Sequence, residues 1–232
     1  MRALLQNANV RLTKVGSIAI ITHHPVAREE SGLPVPSRPL TYRCLVISPS
    51  DVDEARDAVC EVLLRWNASV GVALDVRVEP VRWELHARPE LGGHPQTLLD
   101  RQLVDGADFG IAVFGARLGT PTTEWESGSV QEIERLRTGG APVMVYFDAG
   151  PLPRGVDLAQ LESLRAFQAR MRAEGIVFEF RSLSELREHI TPHVTAMLSE
   201  RAIRERFSTV IETRTSDPES PREGQMWLRT DL

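Results

Sequence analysis

A short apolar run, Arg43-Cys-Leu-Val-Ile-Ser48, leads directly into a stripe of apolar residues at helical spacing. A run of this kind is typical of a parallel strand that is buried on both faces. Ser50, with Asp53 three residues later, is the predicted cap of the helix that follows. The apolar stripe of that helix consists of Val52, Ala55, Val59, Val62, Leu63 and Trp66.

The same alternation continues to about residue 200. Further strands are predicted at Asp75–Trp83, Phe109–Phe114, Val143–Phe147 and Ile176–Phe180. Helices are predicted from Pro95, over Ser129–Arg137, over Leu158–Ala173 and from Ser182 to about Glu200, the last kinked or split by Pro192. Alternating strands and helices predict an α/β fold, a five-stranded parallel sheet with helices on both faces. Right-handed crossovers favour a doubly wound, flavodoxin-like strand order of 2-1-3-4-5.

The two ends of the chain differ from this middle part, residues 40–200. Residues 1–39 hold one weak apolar stretch and a loop rich in Pro, Ser and Gly, so we predict an extension of uncertain order with one short strand. Residues 201–232 are charged and, after Ser216, rich in Pro, Glu and Ser, which indicates a C-terminal helix and a polar tail.

Composition excludes several classes of protein. The net charge of −5 argues against a broad basic face for nucleic acid. No apolar run is long enough for a membrane span and no secretory signal is recognisable, so we expect a cytoplasmic protein without a membrane partner. Cys44 and Cys60 are predicted to be buried free thiols. Lys14 is the only lysine, which excludes a P-loop and a Schiff-base lysine in the body of the protein.

Ligands of an open parallel sheet bind beyond the carboxyl ends of its strands, where the strand order reverses. For the predicted order this place is the crevice between the first and third strands. Three loops reach it and combine aromatic, acidic and basic residues densely: 48–51, 83–86 and 115–129. The candidate substrate-binding residues are Ser48, Asp51, Trp83, Glu84, His86, Phe114, Arg117, Gly119, Thr120, Trp125, Ser127 and Gly128.

Several of these residues have a second interpretation. Glu132 either completes a capping box with Ser129 or faces the crevice as a carboxylate at the positive end of a helix. Trp83 and Trp125 either pack at the mouth of a loop or stack on a ring of the ligand. Asp51 and Ser50 are interpreted as helix caps rather than as catalytic groups. His189 and His193 have the spacing of metal ligands, but no third ligand lies near them, so no metal site is expected.

The run from Phe114 to Ile133, which contains Arg117-Leu-Gly-Thr-Pro121 and Ser127-Gly-Ser-Val-Gln-Glu132, resembles bacterial TIR-like domains and the related nucleoside 2-deoxyribosyltransferases. Residues 83–96 and 105–108 fit the same pattern, and the resemblance covers about 42–198. It implies that Glu132 is the essential glutamate for cleaving a ribosyl–base bond, commonly that of NAD⁺. The tryptophan-x-x-x-glutamate spacing of typical TIR domains is absent, because Trp125 stands seven residues before Glu132.

The expected function is therefore that of an NAD⁺ glycohydrolase, with NAD⁺ as substrate and no further cofactor or metal. Glu132 would stabilise an oxocarbenium-like transition state or attack C1′, and Arg117 would contact a phosphate. Transfer to a second nucleophile or cyclisation remains open, as does a non-catalytic interaction or nucleotide-sensing module. The resemblance suggests bacterial immune signalling, with a trigger that comes either from a sensor in another chain or from this chain's own N-terminal extension and tail. A stripe of Ile203, Phe207, Val210 and Ile211 would either dock onto its own domain or pair with another subunit in a homo-oligomer.

Overall fold

The structure, a computed structural model, describes residues 10–15, 18–23, 39–92, 95–207, 212–214 and 226–229. It describes side chains within 39–92 and 97–202. The chain divides into two compact units, Arg38–Ala196 and Met1–Ser37 with Met197–Leu232.

The strands, in chain order, are β1 (Val10–Val15), β2 (Ile18–His23), β3 (Leu40–Ile47), β4 (Val76–Val81), β5 (Phe109–Phe114), β6 (Val143–Asp148), β7 (Phe178–Phe180), β8 (Glu212–Arg214) and β9 (Met226–Arg229). The helices are α1 (Asp53–Trp66), α2 (Val72–Leu74), α3 (Trp83–His86), α4 (Pro95–Leu99), α5 (Gly128–Thr138), α6 (Leu158–Glu174) and α7 (Leu183–Phe207). Two π-helical turns, Asn67–Gly71 and Asp100–Val104, continue α1 and α4.

The larger unit contains a five-stranded, all-parallel sheet of order β4-β3-β5-β6-β7. This is the predicted order 2-1-3-4-5, so the flavodoxin-like fold class is confirmed. In the central pair, Leu45 lies opposite Gly110 and Ile47 opposite Ala112. Every residue of β5 is buried, as expected for a strand covered by helices on both faces.

The pleat of the sheet separates two halves of the core. Leu45 and Ile47 contribute to a cluster in which the rings of Phe114, Phe147 and Phe167 pack against one another. The opposite face is covered by α1 and α7, which contact each other through a 2.8 Å hydrogen bond from Trp66 Nε1 to Thr195 Oγ1. Helices therefore leave β3 and β5 toward different faces of the sheet.

Two local predictions at the ends of elements are wrong, and one of the two alternatives for Pro192 is excluded. Ser50 does not cap α1, because the helix begins after Val52 and has no side-chain cap. Trp83 does not end a strand but begins α3, whose His86 amide donates to the carbonyl of Arg82 at 3.0 Å. Pro192 does not split α7, since the buried stripe of Leu186, Ile190 and Val194 holds the turns on either side of it.

The two ends of the chain contribute more regular structure than expected. β1, β2, β9 and β8 form a second sheet in that order. β1 and β2 pair antiparallel, as do β2 and β9, whereas β8 and β9 are parallel. The described part of residues 1–39 thus contains two strands, not one, and the predicted tail contains β9. The Gly16-Ser17 spacing between two β-rich runs is a hairpin signal that explains the first difference.

Within the residues that the structure describes, no helix has the length and apolar character that crossing a membrane requires.

Candidate functional site

The carboxyl ends of β3 and β5, the neighbouring strands from which helices depart to opposite faces, mark the place where the sequence predicts a ligand crevice. Three segments meet there: the loop after β3, the loop after β5 and the beginning of α5. Asp51 Oδ2 accepts a hydrogen bond of 2.9 Å from the amide of Ala116, which joins the first two. Gly119, with φ of +112°, lies against Ser127, so that an added Cβ would stand 3.2 Å from the Ser127 Cβ.

Two polar side chains in this crevice have buried atoms without a partner. The Nε of Arg117 and the Oγ of Ser48 are inaccessible to solvent and lack a hydrogen-bond partner in the described part of the chain. Arg117 as a whole is half-buried. A buried polar group without a partner costs about 1–3 kcal/mol, so its retention calls for an explanation.

The structure gives Ser127, Gly128 and Phe114 internal roles. Ser127 is fully buried, and its Oγ accepts the Val130 amide at 3.2 Å, which makes it the cap of α5. The amide of Gly128 donates to the carbonyl of Thr120 at 3.2 Å and is therefore not free to orient a ligand. The Phe114 ring is fully buried and stacks on Phe147 at 5.5 Å, so it does not contact a ligand.

Glu132 lies in the second turn of α5, not in the first. Because α5 begins at Gly128 after the Ser127 cap, the predicted capping box of Ser129 and Glu132 is wrong. Glu132 is half-buried and interacts with another group of the protein. The influence of the helix N-terminus falls off within the first turn, so it acts on this carboxylate less than expected.

The segment after β4 is held by ion pairs. Glu84 Oε1 lies 2.5 Å from Arg56 Nη1, and Glu84 Oε2 lies 3.6 Å from Arg82 Nε. The His86 ring is engaged locally, since its Nδ1 stands 3.1 Å from the amide nitrogen of Arg82. Glu84 and His86 are thus used within the protein, whereas Trp83 is 54% exposed and open to a partner.

The remaining candidates lie on the outer part of the loop after β5. Thr120 is exposed, and Trp125 is 39% exposed. The Thr122 hydroxyl accepts the Trp125 amide at 3.0 Å and closes a turn. Glu126, the next residue, forms an ion pair of 2.6 Å with Arg170 of α6. The loop is therefore anchored, although the Trp125 ring reaches solvent.

The histidine pair on α7 is part of an aromatic cluster. His193 Nδ1 lies 2.7 Å from the Tyr146 hydroxyl, and Phe178 contacts both imidazole rings at centroid distances of 4.5 Å. Burial, and then the neighbouring His189, lowers the pKa of His193. No group of three or more His, Cys, Asp or Glu side chains suited to a metal occurs among the described residues.

The two cysteines are free, as the sequence predicts, with Cys44 buried and Cys60 half-buried. Burial raises the pKa of both thiols. Neither is therefore an activated nucleophile.

A cavity of about 410 Å³, which the sequence did not reveal, lies beside the loop after β3. The segments that form it lie at the ends of β3, β6 and β7, and the first is separated from the other two by more than 90 residues. Its lining residues are Ser50, Asp51, Val52, Asp53, Glu54, Ala55, Asp148, Phe180, Ser182 and Leu183. Two of the carboxylates, on Asp53 and Glu54, occupy the first turn of α1, where acidic side chains are favoured without any ligand.

The sequence profile of a family described as "Domain of unknown function (DUF4062)" matches residues 48–195. The chain belongs to this family. The DUF4062 match spans both loops of the crevice, α5 and the first half of α7. No curated protein matches the chain.

Two solved structures show weak similarity to this DUF4062 protein. Homoserine dehydrogenase from S. aureus is 10% identical with a TM-score of 0.31, over 62% of this chain and 32% of that chain. The flavodiiron protein from Giardia intestinalis is 17% identical with a TM-score of 0.33, over 70% and 36% of the two chains. The chain thus spans about a third of the length of each, and neither similarity bears on its activity.

Proposed function

We propose that the crevice after β3 and β5 binds NAD⁺ or a related nucleotide, and that the protein cleaves the N-ribosyl bond of this ligand. The observation that carries the proposal is Arg117, a half-buried arginine whose buried Nε has no partner among the described residues, at the point where strand order reverses. A pyrophosphate is a suitable partner for such a group, since a planar guanidinium matches phosphate geometry. The buried Ser48 hydroxyl is a second group that a ligand would satisfy.

Arg117 differs in its partners from several other arginines of the α/β unit. Arg56 and Arg82 also have a buried Nε without a hydrogen-bond partner among the described residues, but their guanidinium groups lie against carboxylates, as do those of Arg135 and Arg170. Carboxylates are abundant in this acidic protein, and Arg117 nevertheless remains unpaired in the described part of the chain. An ion pair would neutralise the charge that a phosphate needs, so the absence of a carboxylate favours an anion site.

The proposed reaction uses Glu132. The bond between C1′ of the ribose and the nicotinamide nitrogen breaks, and its electron pair leaves with neutral nicotinamide. The Glu132 carboxylate stabilises the oxocarbenium-like transition state, as carboxylates do in glycoside hydrolysis. Water adds to C1′ and loses a proton, which gives ADP-ribose. Since Glu132 lies in the second turn of α5, the ribose would lie alongside that helix rather than above its end.

Turnover is tested by incubating the full chain with NAD⁺ and measuring nicotinamide and ADP-ribose. We expect Glu132→Gln to lower kcat by at least about 100-fold, as loss of a transition-state charge does. Glu134→Gln, on the same helix, is the matched control and should retain activity. Equal rates for Glu132→Gln and the unsubstituted protein would remove Glu132 from the mechanism. Mass spectrometry of the products separates hydrolysis from cyclisation and from transfer to another base.

Binding is tested independently by calorimetry with ADP-ribose. Arg117→Gln should weaken binding by about ten- to a hundredfold, the effect of losing one charged hydrogen-bonding partner. Arg77→Gln, an exposed arginine on β4, should leave the affinity unchanged. Unchanged affinity in Arg117→Gln would contradict the phosphate contact.

A non-catalytic nucleotide-sensing module is the second candidate function. The position of Glu132 in the second turn, half-buried, favours this candidate, as do the internal roles of Ser127 and Gly128. A rise in melting temperature with ADP-ribose and no turnover of NAD⁺ at any protein concentration would support it.

We also propose assembly into a homo-oligomer, with a sensor in a separate chain as trigger. Trp125 is 39% exposed and available for a subunit contact. The side chains of the Ile203–Ile211 stripe lie outside those that the structure describes. Specific activity should rise with protein concentration, and Phe207→Glu should suppress that rise. A monomer with constant activity per molecule over a hundredfold dilution would contradict assembly.

A further inference from the structure

We infer that Asp51 and Gln160 are positioning residues, which hold the segment 115–119 from two sides and thereby place Arg117 for an anionic ligand. We call this segment the Arg117 loop. The nature of the ligand in this inference rests on the proposed function. The contacts that hold the loop are independent of it.

The first contact comes from the loop after β3. Asp51 Oδ2 accepts the Ala116 amide at 2.9 Å. The approach is so close that a Cβ at Gly115 would stand 3.0 Å from Asp51 Oδ2 and 2.5 Å from Val52 Cγ1. One carboxylate oxygen of Asp51 is therefore committed to the backbone immediately before Arg117. This contact explains Asp51 without a direct role in binding substrate.

The second contact comes from α6. Gln160 Oε1 accepts the Gly119 amide at 3.1 Å. Gln160 lies in the first turn of α6, and that turn is itself fixed because the Asp157 carboxylate accepts the Ala159 and Gln160 amides at 3.0 and 3.2 Å. The acceptor that meets Gly119 is thus presented from a capped helix end.

Between these two contacts the loop has an apolar anchor. Leu118 is 1% exposed and belongs to the same core cluster as Phe114 and Phe167. Asp51 accepts the amide of Ala116, the side chain of Leu118 is buried, and Gln160 accepts the amide of Gly119. The backbone of Arg117 consequently has little freedom, and binding an anion needs little additional ordering.

The test measures ADP-ribose affinity by calorimetry and amide exchange of Ala116 and Gly119 by NMR on the full chain. Asp51→Ala and Gln160→Met should each speed exchange at the amide they release and weaken ADP-ribose binding about tenfold, the effect expected of one lost hydrogen bond. Asp51→Asn keeps an acceptor oxygen and should restore both quantities. Gln168→Met, the same change two turns further along α6, should alter neither.

Unchanged affinity in both Asp51→Ala and Gln160→Met would overturn the inference. So would an Asp51→Asn protein that binds as weakly as Asp51→Ala while Ala116 stays protected, because Asp51 would then act through its charge on the ligand. If the unsubstituted protein binds no ADP-ribose, the proposed function fails, and amide exchange alone then tests whether Asp51 and Gln160 hold the loop. Faster exchange at Ala116 and Gly119 in the respective variants would still support the two contacts, and unchanged exchange would overturn them.

Discussion

Arg56 Nη1 lies 2.5 Å from Glu84 Oε1, and this ion pair joins α1 to the short helix that presents Trp83. The Arg56 side chain is 8% exposed and that of Glu84 25%, so the pair is largely withdrawn from water. Asp53 also contacts the Arg56 guanidinium. The position of the short helix that carries Trp83 therefore depends on a buried arginine of α1.

Removing that arginine should be costly. We expect Arg56→Ala to lower the free energy of unfolding by about 2 kcal/mol, below the full value for a buried pair because Glu84 retains some solvent. Arg65→Ala, whose exposed partner is Glu61 on the same helix, should cost less than about 0.5 kcal/mol. Urea denaturation of the two variants gives both values. Similar losses for both would show that burial of the Arg56 pair does not matter.

The cap of α5 can be identified by substitution. Ser127→Ala should lower the free energy of unfolding by about 1 kcal/mol, because the Val130 amide loses its acceptor. Ser129→Ala, inside the first turn, should have little effect. Thermal denaturation of the two variants distinguishes the positions, and a larger loss for Ser129→Ala would place the cap there.

Close packing at the base of the Arg117 loop makes a further prediction. Gly115→Ala should be destabilising by about 1–3 kcal/mol, since the added Cβ would stand 2.5 Å from Val52 Cγ1. Gly175→Ala is the matched control, because its added Cβ meets nothing within 4 Å. Chemical denaturation should rank the two variants clearly. A Gly115→Ala protein as stable as the Gly175→Ala protein would mean that the two loops separate without cost.

The aromatic cluster on α7 predicts a dependence of stability on pH. The pKa of His193 is lowered in the folded protein by burial and by His189, so below the ordinary value of about 6.5 the unfolded chain binds more protons. Stability should therefore fall as the pH drops from 6.5 toward the folded pKa. Tyr146 and Phe178 contact the His193 ring, and Glu185 lies 3.8 Å from His189 Nε2.

Melting temperatures at pH 7.5 and 5.5 measure this effect. His193→Gln should reduce the difference between the two temperatures. An equal pH dependence in His193→Gln would assign the loss of stability to other groups.

Local sequence patterns predicted much of the fold because the sheet is buried on both faces. The run Phe109–Phe114 is apolar without alternation, and the structure buries every residue of it in the position expected of a central strand. The ends of elements were less predictable. Ser50 and Ser129 both have the residue type of a helix cap, but α1 begins after Val52 without a side-chain cap and α5 is capped by Ser127.

The sequence predicted that the loops after β3 and β5 meet, but it did not predict the role of each side chain there. Arg117 and Ser48 follow buried strands whose adjacency follows from the strand order, so their position in one crevice could be deduced. Glu84 and Ser127 were also predicted to bind a ligand. In the structure Glu84 pairs with Arg56, and the Ser127 hydroxyl accepts the Val130 amide. Gln160 gave no signal at all, because a glutamine in the first turn of an amphipathic helix is ordinary.

The amino-acid sequence by itself determined the strand order and the central position of β5, since these follow from hydrophobic periodicity and right-handed connections. Only the tertiary structure decided which polar groups remain available there. Hydrogen bonds such as those from Ala116 to Asp51 and from Gly119 to Gln160 join residues 65 and 41 positions apart. No local pattern encodes them, because they form only when packing of the core brings the loops into contact.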